Sequence, residues 1–172
     1  MAQDPNNTKS LGCGMTIAGW LIVLFFLTIF FNNQLAQKHN PNIQFDASVT
    51  ENGVREIVLQ RNPMGHYLVR GEINGVRVDF MLDTGATDVA IPAALAHRMN
   101  LPFGPEQIYN TANGHVRVNQ TRIDTLKLGP IEVHDVAASI NPGMSEDIVL
   151  LGMSFLKHVE FSQKGKTLTL RQ

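Results

Sequence analysis

Phe80-Met81-Leu82-Asp83-Thr84-Gly85-Ala86-Thr87-Asp88 is the stretch whose reading decides the fold. An apolar run ends on an acid, and the acid is followed at once by Thr-Gly-Ala. A carboxylate there stands at the end of a buried strand, where the chain must turn sharply. Burial penalises the ionised form, so such a residue either has a strong partner or does chemistry. Asp-Thr-Gly also occurs in ordinary turns, where the aspartate accepts backbone N–H bonds. The context therefore has to carry the argument.

Strand-like runs surround this element. Glu56–Gln60 is one, and His66–Ile73 is another that leads into Asn74-Gly75. Asn-Gly between two such runs predicts a hairpin, because both central residues need positive φ. Val76–Leu82 returns from it, alternating at first and continuously apolar at its end, as a strand entering the core would. Ile91-Pro92 followed by Ala93–Met99 predicts one short helix with Pro92 near its first turn. A second Asn-Gly, Asn113-Gly114, joins Gln107–Asn110 to His115–Val118. The polar flanks there predict a hairpin that projects from the core. Ile123–Leu128 and Ile131–Ile140 flank Gly129-Pro130, and Asp147–Gly152 is a further apolar strand. His158–Ser162 and Thr167–Leu170 make a last hairpin, and the terminal strands near Thr167 to Leu170 are candidates for an intersubunit sheet.

The 172 residues allow one domain plus an appendage, and the net charge of -1 attracts neither nucleic acid nor anionic lipid. Cys13 is the only cysteine, so no intrachain disulfide forms, and the six histidines show no i,i+4 metal spacing. No metal or cofactor is expected. Leu11 to Phe31 contains no charged residue and as a helix would span roughly 31 Å, about a bilayer core. A cleaved signal peptide and a buried core helix are the rivals, but for the first the exit Phe30–Ala36 is a poor small-x-small match. The expected organisation is a tail over 1–10, a transmembrane anchor over 11–31, a linker over 32–54 and a mostly-β domain over 55–172. A short tail before a single anchor usually stays cytoplasmic. That puts the domain on the far, periplasmic side of an inner membrane.

Phe80–Ala86, with Leu150-Leu151-Gly152 downstream, resembles the retropepsins, the single-lobed aspartic proteases. Gly71–Gly75, Thr111–Gly114 and Leu150–Leu156 are closer still to a bacterial, membrane-anchored branch of that clan. The resemblance covers about Gly65 to Leu170. It implies a single-lobed acid-protease fold and an aspartic endopeptidase acting on peptide bonds. Asp83 would be the catalytic aspartate, with Thr84 reaching the partner's loop and Gly85 contacting substrate. The hairpin carrying Ala112, Asn113 and Gly114 would be the flap over the substrate, with Ala86 and Asp88 as further binding residues. A solvated loop acid is the competing reading of Asp88. Thr87 and Met153 stand where retroviral members keep an acid and an arginine, so the ion pair between those positions is absent.

Two-lobed relatives carry two Asp-Thr/Ser-Gly elements, and this chain has one. Asp124-Thr125-Leu126 lacks the glycine. A carboxylate pair would need two chains related by a twofold axis. The expected assembly is a homodimer acting on peptide or protein. A non-catalytic peptide-binding or dimerisation module is the alternative, as is a structural protein whose dimer responds to ionisation of Asp83.

Overall fold

The computed structural model describes residues 15, 18–31, 39–111, 114–145 and 147–172. It divides into two compact units, Met1–His39 and Asn40–Gln172. In the first, residues 18–31 form a helix, α1, whose side chains are exposed all round. Among the described residues no helix is long and apolar enough to cross a membrane. Residues 11–14, 16 and 17 of the expected anchor, the tail over 1–10 and positions 32–38 of the expected linker lie outside the described residues.

The linker reading needs correcting beyond that point. Asn40 and Asn42 are buried, and Asp46–Val49 is a strand, β1, paired antiparallel with β2 (Arg55–Gln60). Polar composition misled here because one amide meets all its needs inside the fold. Asn42 Nδ2 donates to the carbonyls of Gln60 (2.9 Å) and Leu68 (2.7 Å), and its Oδ1 accepts from Gln60 N–H (2.7 Å). A buried amide satisfied on both sides holds its segment to the sheet.

The remaining elements are β3 (Leu68–Ile73), β4 (Val76–Leu82), β5 (Val89–Pro92), α2 (Ala93–Arg98), β6 (Glu106–Thr111), β7 (Gly114–Leu128), β8 (Ile131–Asn141), β9 (Ile148–Leu151), α3 (Met153–Leu156), β10 (Glu160–Lys164) and β11 (Thr167–Arg171). The unit is mostly β, as expected, but α3 is a second short helix. Ile91 and Pro92 close β5, and Pro92 stands immediately before the first residue of α2, at the helix start that the sequence predicts. Asn74 and Gly75 take φ of 49° and 80°, the turn that the Asn-Gly signal predicts.

Two runs expected as separate strands are one. β7 continues through Asn119–Arg122, pairing first with β6 and then with β8. Its polar middle is where the strand passes from a projecting hairpin to the core. Inside, Ile123, Leu126 and Leu128 are fully buried beside Phe80, Ile140 and Leu151.

Seven strands run in the order β3-β4-β9-β5-β8-β7-β6, and β3 also pairs with β7, so the sheet closes on itself. Gly71 permits that closure: a Cβ there would lie 2.3 Å from the Lys127 carbonyl oxygen. The second sheet runs β1-β2-β11-β10. β11 is therefore interior, bonded on both sides within its own chain, and the expectation that it forms the intersubunit edge is corrected. The exposed edges are β1 and β10.

Candidate active site

β9 lies between β4 and β5, parallel to β4. The chain leaving β4 must therefore cross the end of β9 before it enters β5. The crossing is Asp83–Asp88. Asp83 begins it, half-buried, with its N–H donating to the Leu151 carbonyl at 3.2 Å. Asp83 Oδ1 accepts the Gly85 N–H at 2.9 Å, and the Ala86 N–H returns to the Asp83 carbonyl at 3.2 Å. These bonds fold the loop back on its own acid, as aspartate does in tight turns. Thr84 and Gly85 are exposed, and Ala86 is half-buried.

The loop rests on the start of α3. A Cβ at Gly152 would lie 2.1 Å from the Asp88 carbonyl oxygen and 2.7 Å from that of Ala86. No side chain fits, so glycine is required by contact. Met153 N–H donates to the Ala86 carbonyl (2.8 Å) and Ser154 N–H to that of Thr87 (3.0 Å). Ser154 Oγ accepts the Val89 N–H at 3.1 Å and donates to the Ala137 carbonyl at 2.7 Å. Backbone bonds and one serine thus join the two segments where an ion pair would stand if Thr87 were an acid and Met153 an arginine.

Asp88 is buried, which corrects the reading of a solvated loop acid. Its Oδ2 accepts from the Tyr109 hydroxyl at 2.8 Å and its Oδ1 from the Ser139 hydroxyl at 2.9 Å. Burial raises the Asp88 carboxyl above its ordinary value, and the two hydroxyls work against that rise. Tyr109 is pushed up to about 12, first by burial and then by the carboxylate its proton points at. Sequence reasoning missed Tyr109, Ser139 and Ser154. Tyr109 is the one half-buried residue of β6, and an aromatic in a mostly polar strand was the available signal.

A cavity of about 550 Å³ lies beside the loop, lined by Thr87, Asp88, Tyr109, Gln120, Thr121 and Ala137 among others. Thr121 Oγ1 is buried with no hydrogen-bond partner among the described residues. The β6–β7 hairpin rises from the same place, with Thr111 opposite Gly114. Gly114 is exposed and takes φ of 105°, while Ala112 and Asn113 lie outside the described residues. Gly114 therefore flanks the turn rather than forming its centre. The structure brings Asp83, Thr84, Gly85, Ala86 and Asp88 into one crossing loop. It ties that loop to the hairpin through Asp88 and Tyr109.

Residues 69–158 match the family model described as "gag-polyprotein putative aspartyl protease". An uncharacterized protein in the cobV 5′ region of Sinorhizobium sp is 31% identical over 114 residues, covering 64% of this chain and 49% of that protein. Uncharacterized protein RP867 of Rickettsia prowazekii (strain Madrid E) is 29% identical over 120 residues, covering 68% of this chain and 51% of its own. The chain thus spans about half the length of the curated relatives it matches. Among solved structures, a retropepsin-like aspartic protease from Rickettsia conorii is similar at 28% identity with a TM-score of 0.59. It covers 74% of this chain and 95% of that one.

Proposed function

The chain belongs to the gag-polyprotein aspartyl protease family, with a retropepsin-like fold, and from that premise we propose that it is a membrane-anchored aspartic endopeptidase built from two copies. The observation that carries this reading is the crossing loop. It holds a half-buried carboxylate, Asp83, at the exit of an apolar strand and over a glycine that admits no side chain. One such carboxylate per chain calls for a second chain. Two Asp83 side chains about 3 Å apart would share one proton. The ionised one takes a proton from the water between them as that water attacks the amide carbonyl carbon. The protonated one donates to the developing oxyanion, and proton return to the leaving nitrogen then breaks the C–N bond.

Within this reading Thr84, exposed on the loop, is placed to meet its copy, and Gly85 leaves room for substrate backbone. The β6–β7 hairpin closes over the peptide and excludes water. The cavity walled by Tyr109 and Ala137 receives a substrate side chain. Asp88 acts from beneath that wall, through Tyr109.

The test uses the full chain in detergent micelles against a peptide library. Wild type is expected to cleave, and Asp83→Asn to lose at least about a thousandfold in rate with its thermal midpoint nearly unchanged. Cleavage that survives in Asp83→Asn removes the site assignment. A stable dimer that cuts nothing over about pH 4 to 8 leaves the peptide-binding module instead.

The anchor and the periplasmic location belong to the same proposal. Their support is the charge-free run Leu11–Phe31 and a helix that exposes Leu21, Phe25 and Phe30 on all sides, which water does not stabilise. Retention of the protein in membranes after an alkaline wash, with the C-terminal domain digested by protease added from the periplasmic side, is the expected result. Release into the wash removes the anchor.

A further inference from the structure

Gln120 lies near the middle of β7, half-buried, in the wall of the cavity of about 550 Å³ beside the crossing loop. Its backbone is fixed. The N–H donates to the Pro105 carbonyl (3.0 Å), and the carbonyl accepts the Gly104 N–H (2.9 Å). A Cβ on Gly104 would come 2.6 Å from that carbonyl oxygen, so only glycine allows this approach. Across the β7–β8 ladder Gln120 stands opposite Ser139. Both its backbone groups go to the loop, so this is a non-hydrogen-bonded pair, the kind with the closer side chains. Opposite residues of a ladder share a face. Ser139 donates to Asp88, which also takes the Tyr109 hydroxyl. The Gln120 side chain is therefore on the face of Asp88 and Tyr109. Thr121, one residue on, falls on the other face with the fully buried Ile123.

The polar groups of this wall differ in what they already hold. Each Asp88 oxygen accepts a hydroxyl, and the Arg122 guanidinium is gripped by both oxygens of Asp135. The Gln120 carboxamide has no hydrogen-bond partner among the described residues. Both charges of the wall are thus engaged. Its free group is neutral, with two N–H donors and a carbonyl acceptor. Pro102, Pro105, Ala137 and the Tyr109 ring stand around it. A charged side chain entering there would lose hydration and find no free counter-charge. An apolar one would shield the carboxamide from water and leave it unbonded. A second carboxamide avoids both costs, because the N–H of each can face the carbonyl of the other.

We infer that Gln120 is a specificity-determining residue, and that this cavity takes a glutamine-type side chain of the peptide, carboxamide to carboxamide. The inference rests on the peptide-cleaving reading above and names a substrate class for it. The fixed backbone matters to this role. A carboxamide on a strand bonded at both groups to a neighbouring loop is held ready for its partner, and little ordering is left to the moment of binding.

The test measures binding apart from cleavage. The full chain with Asp83→Asn, in detergent micelles, is titrated with fluorescent peptides. Each position of the best-bound library peptide is replaced in turn by Gln, Met, Glu or Lys. At one position Gln is expected to bind about tenfold tighter than Met, which has nearly its shape, and tighter than Glu or Lys. Gln120→Met should erase the preference for Gln over Met there and leave the other positions as they were. Gln120→Glu should turn the same position toward Lys, roughly tenfold over Gln. A gained preference cannot come from a damaged fold. No position that prefers Gln, a preference that survives Gln120→Met, or no turn toward Lys in Gln120→Glu overturns the inference. A Gln preference in Asp83→Asn with no cleavage by the wild type would leave this specificity standing and remove the enzyme. Asp83-dependent cleavage with no Gln preference would do the reverse.

Discussion

The crossing loop and the projecting hairpin are held in opposite ways. The loop is bonded from beneath by backbone: Met153 and Ser154 donate to it, Leu151 accepts from it, and Gly152 fits where no side chain could. The hairpin has polar, exposed flanks, and its side-chain tie to the loop is the Tyr109 hydroxyl on Asp88. Contacts made by backbone against backbone have one geometry. A single hydroxyl on a carboxylate can be made and broken. The chemistry proposed for Asp83 needs the first kind, and substrate entry needs the second.

The largest break in this contrast comes from Gly152→Ala. The added methyl would meet two backbone oxygens, so relief requires moving the loop or α3. A loss of at least about 3 kcal/mol of stability is expected, read by denaturant unfolding. A loss under 1 kcal/mol would mean that the loop is not held by that contact.

Tyr109→Phe should act more gently and on the other partner. It removes one of the two hydroxyls on a buried carboxylate, which costs about 1–2 kcal/mol. In a cleaving enzyme the expected signature is a raised KM with kcat nearly kept. A fall in kcat alone would place Tyr109 in the chemistry rather than in the hairpin's hold. The pH dependence follows from the same pair. A phenol raised from 10.0 to about 12 gives stability that is whole below about pH 10 and is lost as pH rises through 12. Asp88 has the same sense at lower pH: raised by burial, its ionisation costs stability as pH climbs above its ordinary range. Titration of phenolate absorbance checks this as the smallest effect. Tyr109→Phe should remove the late-titrating phenol, and Asp88→Asn should bring its midpoint down toward 10.

The contrast also explains what was legible in the sequence. The Asp83 loop was readable because its constraints are local: an apolar strand, an acid, a glycine, and a second apolar-Gly element. The Asn74-Gly75 hairpin was readable for the same reason. Asp88 was not, because its partners Tyr109 and Ser139 lie 21 and 51 residues away and no spacing rule joins them. Asn42 misled in the same way. An asparagine in a polar stretch reads as linker until three backbone groups from two other strands are found around it. The long β7 was read as two strands because Asn119–Arg122 is polar. Polarity there marks a change of surroundings along one strand.

The interior position of β11 also bears on the order in which the fold can be assembled. β2 is made early, and one of its two neighbours, β1, is already at hand. Its other neighbour arrives last: the Arg171 and Glu56 side chains that pair across these strands are 115 residues apart in the chain. Until then Ile57 and Leu59, fully buried at the end, have no strand beside them on that side. Contacts this distant are slow to form, so the nascent chain carries an unfinished apolar edge while the residues between β2 and β11 are made. The step that covers that edge also lays down β10.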